Sequence, residues 1–211
     1  MNKLFDLESP IFKLLAKAVD IMIINILFIL GCIPIFTIGA SLTALYKVTL
    51  KMVSKEDMYI VREFMLAFKK NFKVSTAVWG IMVFIGFLFS VNYQLLQNFS
   101  GVLYIFSSVV LAVFTFIYLC VLTFIFPYVA LYENSTKKFL FNSLIITLSN
   151  FSYMLLLIPI TVILSTFFFT SGIGLITGIY LGTFGGFAIS ALYNSFFINK
   201  IFKKYNNTNL Q

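Results

Sequence analysis

The chain has 211 residues, of which 61% are hydrophobic and 10% are charged, and it contains 27 Phe and no His. Soluble domains contain about 45–50% apolar and about 25% charged residues, so this composition excludes an ordinary water-exposed fold. Disordered, collagen-like and disulfide-rich classes are excluded as well, and the length allows one domain. We therefore predict a single integral membrane domain over residues 1–211.

Charged residues are absent from three long stretches, 21–46, 74–132 and 139–199. A helix that crosses a hydrocarbon core of about 30 Å needs about 20 apolar residues, so these stretches predict one, two and two crossings. Helices are favoured because strand-like alternation of apolar and polar residues is absent. The predicted fold is an all-α, polytopic helical bundle. Its five or so transmembrane helices cover residues 20–35, 74–95, 102–128, 144–169 and 173–197.

Lys and Arg residues concentrate beside the predicted crossings, with 12 of the 15 in segments 47–73, 129–143 and 198–211. Such an excess marks cytoplasmic loops. We expect a cell-membrane protein with segment 47–73 and the C-terminus in the cytoplasm. The side of the N-terminus stays open, because Pro34 either ends a single crossing or bends stretch 21–46 into a re-entrant hairpin.

Within the amphipathic segment 47–73, the stretch from Ser54 to Lys73 has the pattern of a basic amphipathic helix, with apolar residues at intervals of three and four and charged residues on the other faces. Such a helix lies in the headgroup layer or docks a partner protein, and both alternatives are open here. The candidate partner or membrane-surface face consists of Val61, Phe64, Met65, Phe68, Lys69, Asn71 and Phe72. A second interfacial helix is predicted upstream, with lysines that reach toward water at Lys47, Lys51 and Lys55.

Small residues recur every four positions in the last predicted crossing. This spacing puts them on one side of a helix, where a second helix can approach closely. The second helix belongs to the same chain or to another copy, and the latter would make a homo-oligomer. The predicted helix-packing residues are Gly174, Gly178, Gly182, Gly186 and Ser190.

Residue types that carry catalysis or bind ligands are scarce. Without His, with two Cys, and without a pocket-like carboxylate pair or a phosphate-binding glycine loop, the sequence predicts no catalytic residue, no cofactor, no metal site and no enzyme activity. The net charge of +8 is spread over the segments beside the crossings and forms no nucleic-acid-reading motif. The expected partner is therefore the lipid bilayer and not nucleic acid.

Two stretches in the first third of the chain carry recognisable motifs. Stretch 25–46 opens with Asn-Ile-Leu-Phe and closes with Cys-Ile-Pro-Ile-Phe-Thr-Ile-Gly-Ala-Ser-Leu-Thr-Ala-Leu-Tyr, and stretch 64–76 reads Phe-Met-Leu-Ala-Phe-Lys-Lys-Asn-Phe-Lys-Val-Ser-Thr. Both resemble the YesL-like family of bacterial multipass membrane proteins, although Phe28 stands where many relatives carry Trp. The family-signature positions are Asn25, Pro34, Thr37, Gly39, Thr43 and Tyr46.

The resemblance implies a membrane protein of Gram-positive bacteria without an established biochemical activity. Genes of the family commonly lie beside those of carbohydrate-uptake ABC transporters. This implies an accessory or interaction component of ABC-type carbohydrate uptake, with transporter subunits as partners. The alternative is an autonomous small-solute transporter or channel, with a cavity near Asn25, Pro34 and the glycines of the last crossing.

Overall fold

The computed structural model describes residues 10–151 and 172–207, and over these residues the chain is an all-α bundle, as the sequence predicts. The helices are α1 (Pro10–Cys32), α2 (Ile38–Val53), α3 (Ile60–Leu96), α4 (Gly101–Leu131), α5 (Thr136–Ser149), α6 (Gly172–Leu181) and α7 (Phe187–Asn207). A 3₁₀ turn, Ile35–Thr37, precedes α2, and a π-helical segment, Gly182–Gly186, joins α6 to α7.

Four stretches of the described chain are long and apolar enough to cross a membrane: Leu14–Cys32, Ile60–Leu96, Gly101–Leu131 and Gly172–Phe202. They overlap four of the five predicted crossings. The remaining predicted crossing, 144–169, begins inside α5. This helix ends at Ser149, and Asn150 leaves the helical conformation with φ −121° and ψ 33°. Its remaining part, 152–169, lies outside the described residues.

The chain bends directly after α1. Helix α1 ends at Cys32, and Pro34 is extended, with φ −79° and ψ 120°. The hydroxyl of Thr37 lies 2.6 Å from the carbonyl oxygens of both Gly31 and Pro34 and donates to them. The bend expected at Pro34 is therefore present, and Thr37 supplies a hydrogen bond to carbonyl groups that the interrupted helix leaves open.

Helix α2 lies at the centre of the bundle, in contact with α1, α3, α4 and α7. Its 16 residues make it about 24 Å long, which is shorter than a hydrocarbon core of about 30 Å. Leu45 and Val48, which lie beside the lysines of the predicted interfacial helix, are buried in protein. The prediction of an interfacial helix in this region is thus corrected: α2 is an internal helix, because its apolar side is covered by neighbouring helices.

Helix α3 is continuous over 37 residues, about 55 Å, and contains both the predicted amphipathic stretch and the predicted crossing 74–95. The amphipathic stretch therefore continues the crossing within one helix and is not a separate helix. We call the end of the bundle that carries residues 47–73, 131–138 and 198–207 the basic end.

Specific contacts define how the helices run relative to one another. Helices α2 and α3 are antiparallel, since Thr43 contacts Ser75 while Lys51, further along α2, contacts Glu63. Helices α2 and α7 are parallel. The contacts that show this order are Tyr46 with Asn194, Thr49 with Ser195, and Ser54 with Asn199.

Gly39 allows α2 and α3 to approach closely. A Cβ atom built at this position would lie 2.5 Å from the carbonyl oxygen of Ser75 and 2.6 Å from the Cβ of Trp79. Both contacts are shorter than van der Waals distances, and both involve atoms near the α3 backbone. The indole N–H of Trp79 donates to the carbonyl of Ile35 at 3.0 Å, so the same region also holds the bend against α3.

We expect Gly39→Ala to destabilise the protein, because the added methyl group forces α2 away from α3. Overpacking of this kind costs about 1–3 kcal/mol. Thermal unfolding of the purified protein in detergent measures the effect. The matched control is Gly80→Ala, on the exposed side of α3, where a Cβ meets nothing within 4 Å. Equal melting temperatures for the two variants would contradict this role of Gly39.

Candidate functional site

A row of buried polar side chains follows α2. The hydroxyl oxygens of Thr43 and Ser75 lie 2.9 Å apart, and those of Thr49 and Ser195 lie 2.8 Å apart. Each Thr also donates to a carbonyl of its own helix, at 3.0 Å, and either hydroxyl of a pair can donate to the other. We call the row the α2 seam; its members are Thr43, Tyr46, Thr49, Ser75, Asn194 and Ser195.

The α2 seam ties the central helix to α3 on one side and to α7 on the other. A hydroxyl group in apolar surroundings is costly unless it is hydrogen-bonded, and these pairs bond to each other. Asn194 completes the row by donating to the Tyr46 hydroxyl at 3.4 Å. The geometry of the seam is therefore that of helix-to-helix attachment, with its hydroxyl groups already occupied by protein partners.

Asn25 holds the broken part of the last apolar stretch. Its side-chain N–H₂ donates to the carbonyls of Gly182 at 2.7 Å and Thr183 at 3.0 Å, and its carbonyl accepts from the backbone N–H of Ala188 at 3.2 Å. These are backbone groups beside Gly185, whose φ of +134° interrupts the helical pattern. The Asn25 amide thus supplies hydrogen bonds where the regular helical pattern is broken.

The predicted glycine face is interrupted by this break. The π-helical segment shifts the helical register, so the four-residue spacing does not produce one straight stripe. Of the predicted positions, Gly174 is buried, Ser190 is exposed, and the other three are half-buried. At Gly186 a Cβ would lie 2.7 Å from the Leu181 carbonyl oxygen, so the chain's own backbone requires a glycine there.

The six signature positions lie at structural contacts. Pro34 and Thr37 form the bend, Gly39 lies at the close approach of α2 to α3, and Asn25 holds the broken helix. Thr43 and Tyr46 belong to the α2 seam. The structure therefore places all six at positions that define the bend or hold helices together.

The predicted amphipathic face divides into an inner and an outer part. Phe64 is only 2% exposed, and Phe68, Asn71 and Phe72 are half-buried, so these four face the bundle. The protein itself thus covers the phenylalanine side of the helix. The prediction that this side is a docking face is corrected. The outer part, which we call the exposed α3 face, consists of Val61, Arg62, Met65, Leu66, Lys69 and Lys73.

The composition of the exposed α3 face is both apolar and basic. Val61, Met65 and Leu66 are 52%, 43% and 55% exposed. Arg62 and Lys69 have no ion-pair partner among the residues that the structure describes. The sequence analysis did not include Leu66, because apolar residues at intervals of three and four select the phenylalanine side of the helix. Leu66 lies four residues after Arg62, and this spacing places the two residues on the same side of the helix.

Two ion pairs join the helices at the basic end. The Lys51 ammonium lies 2.7 Å from a Glu63 carboxylate oxygen and links α2 to α3. Lys70 pairs with Glu133 and links α3 to the connection between α4 and α5. The hydrogen bond and the positive charge of Lys70 lower the pKa of Glu133.

Lys47 lies one helical turn before Lys51 and is half-buried. Burial lowers the pKa of Lys47, and the positive charge of Lys51 lowers it further, while Glu63 opposes the change. The group of Lys47, Lys51, Glu63, Lys70 and Glu133 is the densest arrangement of interacting charges that the described chain shows.

Comparison with known proteins identifies one family relationship. Residues 21–93 match the profile of a family described as "Protein of unknown function, DUF624". The match covers about a third of the chain, from α1 through α2 to the last turns of α3. No curated protein and no solved structure matches the chain. The matched region contains the bend, the exposed α3 face and the lysines of α2.

We expect Asn25→Ala to lower stability by about 1–3 kcal/mol, because it leaves two carbonyl groups and one N–H group of the broken helix without their side-chain partner. The control is Asn92→Ala, since Asn92 is exposed and donates only to a carbonyl of its own helix, Leu88, at 2.8 Å. Thermal unfolding in detergent compares the two. Equal losses would mean that Asn25 does not hold the break.

Proposed function

We propose that the protein is a YesL-like accessory component of ABC-type carbohydrate uptake. It lies in the cell membrane with its basic end in the cytoplasm, and it binds a transporter subunit through the exposed α3 face. The observation that carries this proposal is a continuous helix that combines a membrane crossing with an apolar and basic face outside it. The matched family has no stated function, so the proposal rests on this surface and on the resemblance described above.

The length of α3 supports an exposed position for this face. A helix of about 55 Å exceeds a hydrocarbon core of about 30 Å by about 25 Å. We assign this excess length to the end of α3 that carries the charged residues within 62–73, since burying these charges in lipid would be costly. The face then lies at or beyond the headgroups, where a cytoplasmic segment of another protein has access to it.

The chemistry of the face indicates the kind of partner. Three cations with exposed apolar side chains between them fit a segment that carries Asp or Glu beside apolar residues. Arg and Met are also residue types enriched where proteins contact each other. We therefore assign the occupant as an acidic, amphipathic cytoplasmic segment of a transporter subunit.

The alternative of an autonomous transporter or channel receives less support from the same contacts. The Asn25 amide, expected to line a cavity, bonds to the backbone of the broken helix. A cavity of about 580 Å³ lies instead at the α3–α4 connection, lined by residues such as Phe89, Asn92, Phe99 and Phe106. Its apolar lining suits a hydrocarbon chain better than a sugar. Flux of sugars into liposomes that contain only this protein would favour the alternative.

The orientation predicts a labelling pattern. In a chain with Cys32 and Cys120 replaced by Ala, a membrane-impermeant maleimide should label Asn98→Cys in intact cells. It should label Lys69→Cys only after permeabilisation, because Lys69 lies at the basic end and Asn98 at the α3–α4 connection. Mass shifts of the purified chains measure the labelling. The reverse pattern would place the basic end outside the cell.

The docking role predicts a specific crosslink. A photo-crosslinking amino acid at Met65 should yield, in the native host, a product that contains a carbohydrate ABC transporter subunit, identified by mass spectrometry. Reversing two charges, Arg62→Glu with Lys69→Glu, should lower that yield about tenfold, because like charges across an interface cost several kcal/mol.

The matched control for this crosslink is Lys137→Glu with Lys138→Glu, two exposed lysines at the same end of the bundle. It carries the same change of net charge and should leave the yield within about twofold of the original. Equal effects of the two double variants would show a response to overall charge. Crosslinking to lipid alone would show that the face rests on headgroups, and either result would refute the docking role.

A further inference from the structure

A cavity of about 580 Å³ lies between α3 and α4, at the end of the bundle opposite the basic end. The last turns of α3, the first turns of α4 and the connection between them line it, and Leu96 is a buried part of this lining. Toward the basic end the two helices are joined, since the Tyr118 hydroxyl donates to the Met82 carbonyl at 2.9 Å. The volume falls within the range of small-molecule sites, about 300–1,000 Å³.

The lining of the cavity is mainly apolar. Phe99, Phe106 and Phe114 border it and are exposed, and the half-buried Phe89 ring closes it on the side of Tyr118, with 5.5 Å between the two ring centroids. Both helices belong to stretches that are long and apolar enough to cross a membrane. A hydrocarbon chain from the bilayer therefore has access to this space and meets aromatic rings along it.

The polar groups of the lining lie close to the α3–α4 connection and are uncharged: Asn92, Asn98 and Ser107. Asn92 already donates to the carbonyl of Leu88. The side chains of Asn98 and Ser107 have no hydrogen bond among the residues that the structure describes. None of the described lining residues is charged, and stretch 74–132 contains no charged residue. The lining can therefore donate and accept hydrogen bonds, but it offers no partner for a charged group.

We propose that this cavity binds a lipid whose headgroup is uncharged and carries hydroxyl groups. The hydrocarbon chain lies against the phenylalanine rings, and the headgroup lies at the α3–α4 connection, where Asn98 and Ser107 form hydrogen bonds with its hydroxyls. An acylglycerol is a simple lipid with this chemistry. The predicted crossing 74–95 ends at this connection, so the polar groups of the lining lie at the depth of lipid headgroups. The site is separate from the exposed α3 face and does not depend on the docking role.

Photo-crosslinking in a bilayer tests the site. The full-length chain is placed in phosphatidylcholine nanodiscs with a trace of monooleoylglycerol that carries a diazirine in its chain, and mass spectrometry locates the products. Three unlabelled competitors share the same chain: monooleoylglycerol, methyl oleate, which has no hydroxyl, and oleate, which is charged. We expect saturable products within residues 89–114. Monooleoylglycerol should displace them at about a tenth of the concentration that either other competitor needs, since two hydrogen bonds to the headgroup are worth about tenfold in affinity.

Two kinds of variant separate the chain site from the headgroup site. Val110→Trp fills the cavity and should lower the yield of these products about tenfold, while Val109→Trp, at an exposed position outside the lining, should leave it within about twofold. The double variant Asn98→Leu with Ser107→Ala leaves room for the chain but removes the hydrogen bonds. It should still crosslink, with monooleoylglycerol and methyl oleate competing equally, and it keeps the test open if Val110→Trp folds poorly.

Three results would overturn the proposal. The first is a spread of products along all apolar helices without saturation, which would indicate ordinary contact with the bilayer. The second is an equal loss of yield in Val110→Trp and Val109→Trp. The third is displacement from the unaltered chain by methyl oleate or oleate as efficiently as by monooleoylglycerol, because the headgroup would then contribute nothing to binding.

Discussion

The arrangement of the helices in this bundle depends mainly on the contact between α2 and α3. Gly39 lets the two backbones come together, and the hydroxyl pair of Thr43 and Ser75 sets which residues lie opposite one another. In apolar surroundings this pairing resists a shift, because sliding one helix past the other would separate two buried hydroxyl groups. The same register brings Lys51 to Glu63.

Several polar groups inside the described bundle hold helices together. Asn25 holds a broken helix, and the α2 seam holds the central helix to two others. At the basic end the chemistry differs, since Arg62 and Lys69 face outward without an acidic partner among the described residues. The proposed docking surface, the exposed α3 face, is therefore both apolar and basic.

The region that matches a family of unknown function coincides with the part of the fold that is built around α2. Residues 21–93 include the bend, the internal helix and the long helix against which it packs. An internal helix constrains its residues on several sides at once, because any change of side-chain volume meets a neighbour. A crossing helix such as α4, whose first turns are largely exposed, meets weaker constraints and only needs to be apolar.

Composition and the spacing of charges determined the all-α class, the apolar stretches and the bend at Pro34, because lipid demands long uncharged helices and proline interrupts one. Gly39 and Thr43 were marked separately, by the resemblance of stretch 25–46 to a known family. The tertiary structure alone decided which side of each helix is covered. Phe64 and Leu66 are equally apolar in sequence, yet one is buried and the other exposed, since packing depends on the neighbours that a helix meets. The broken glycine row has a similar origin, because Asn25, which is distant along the chain, bonds to the backbone of the broken segment.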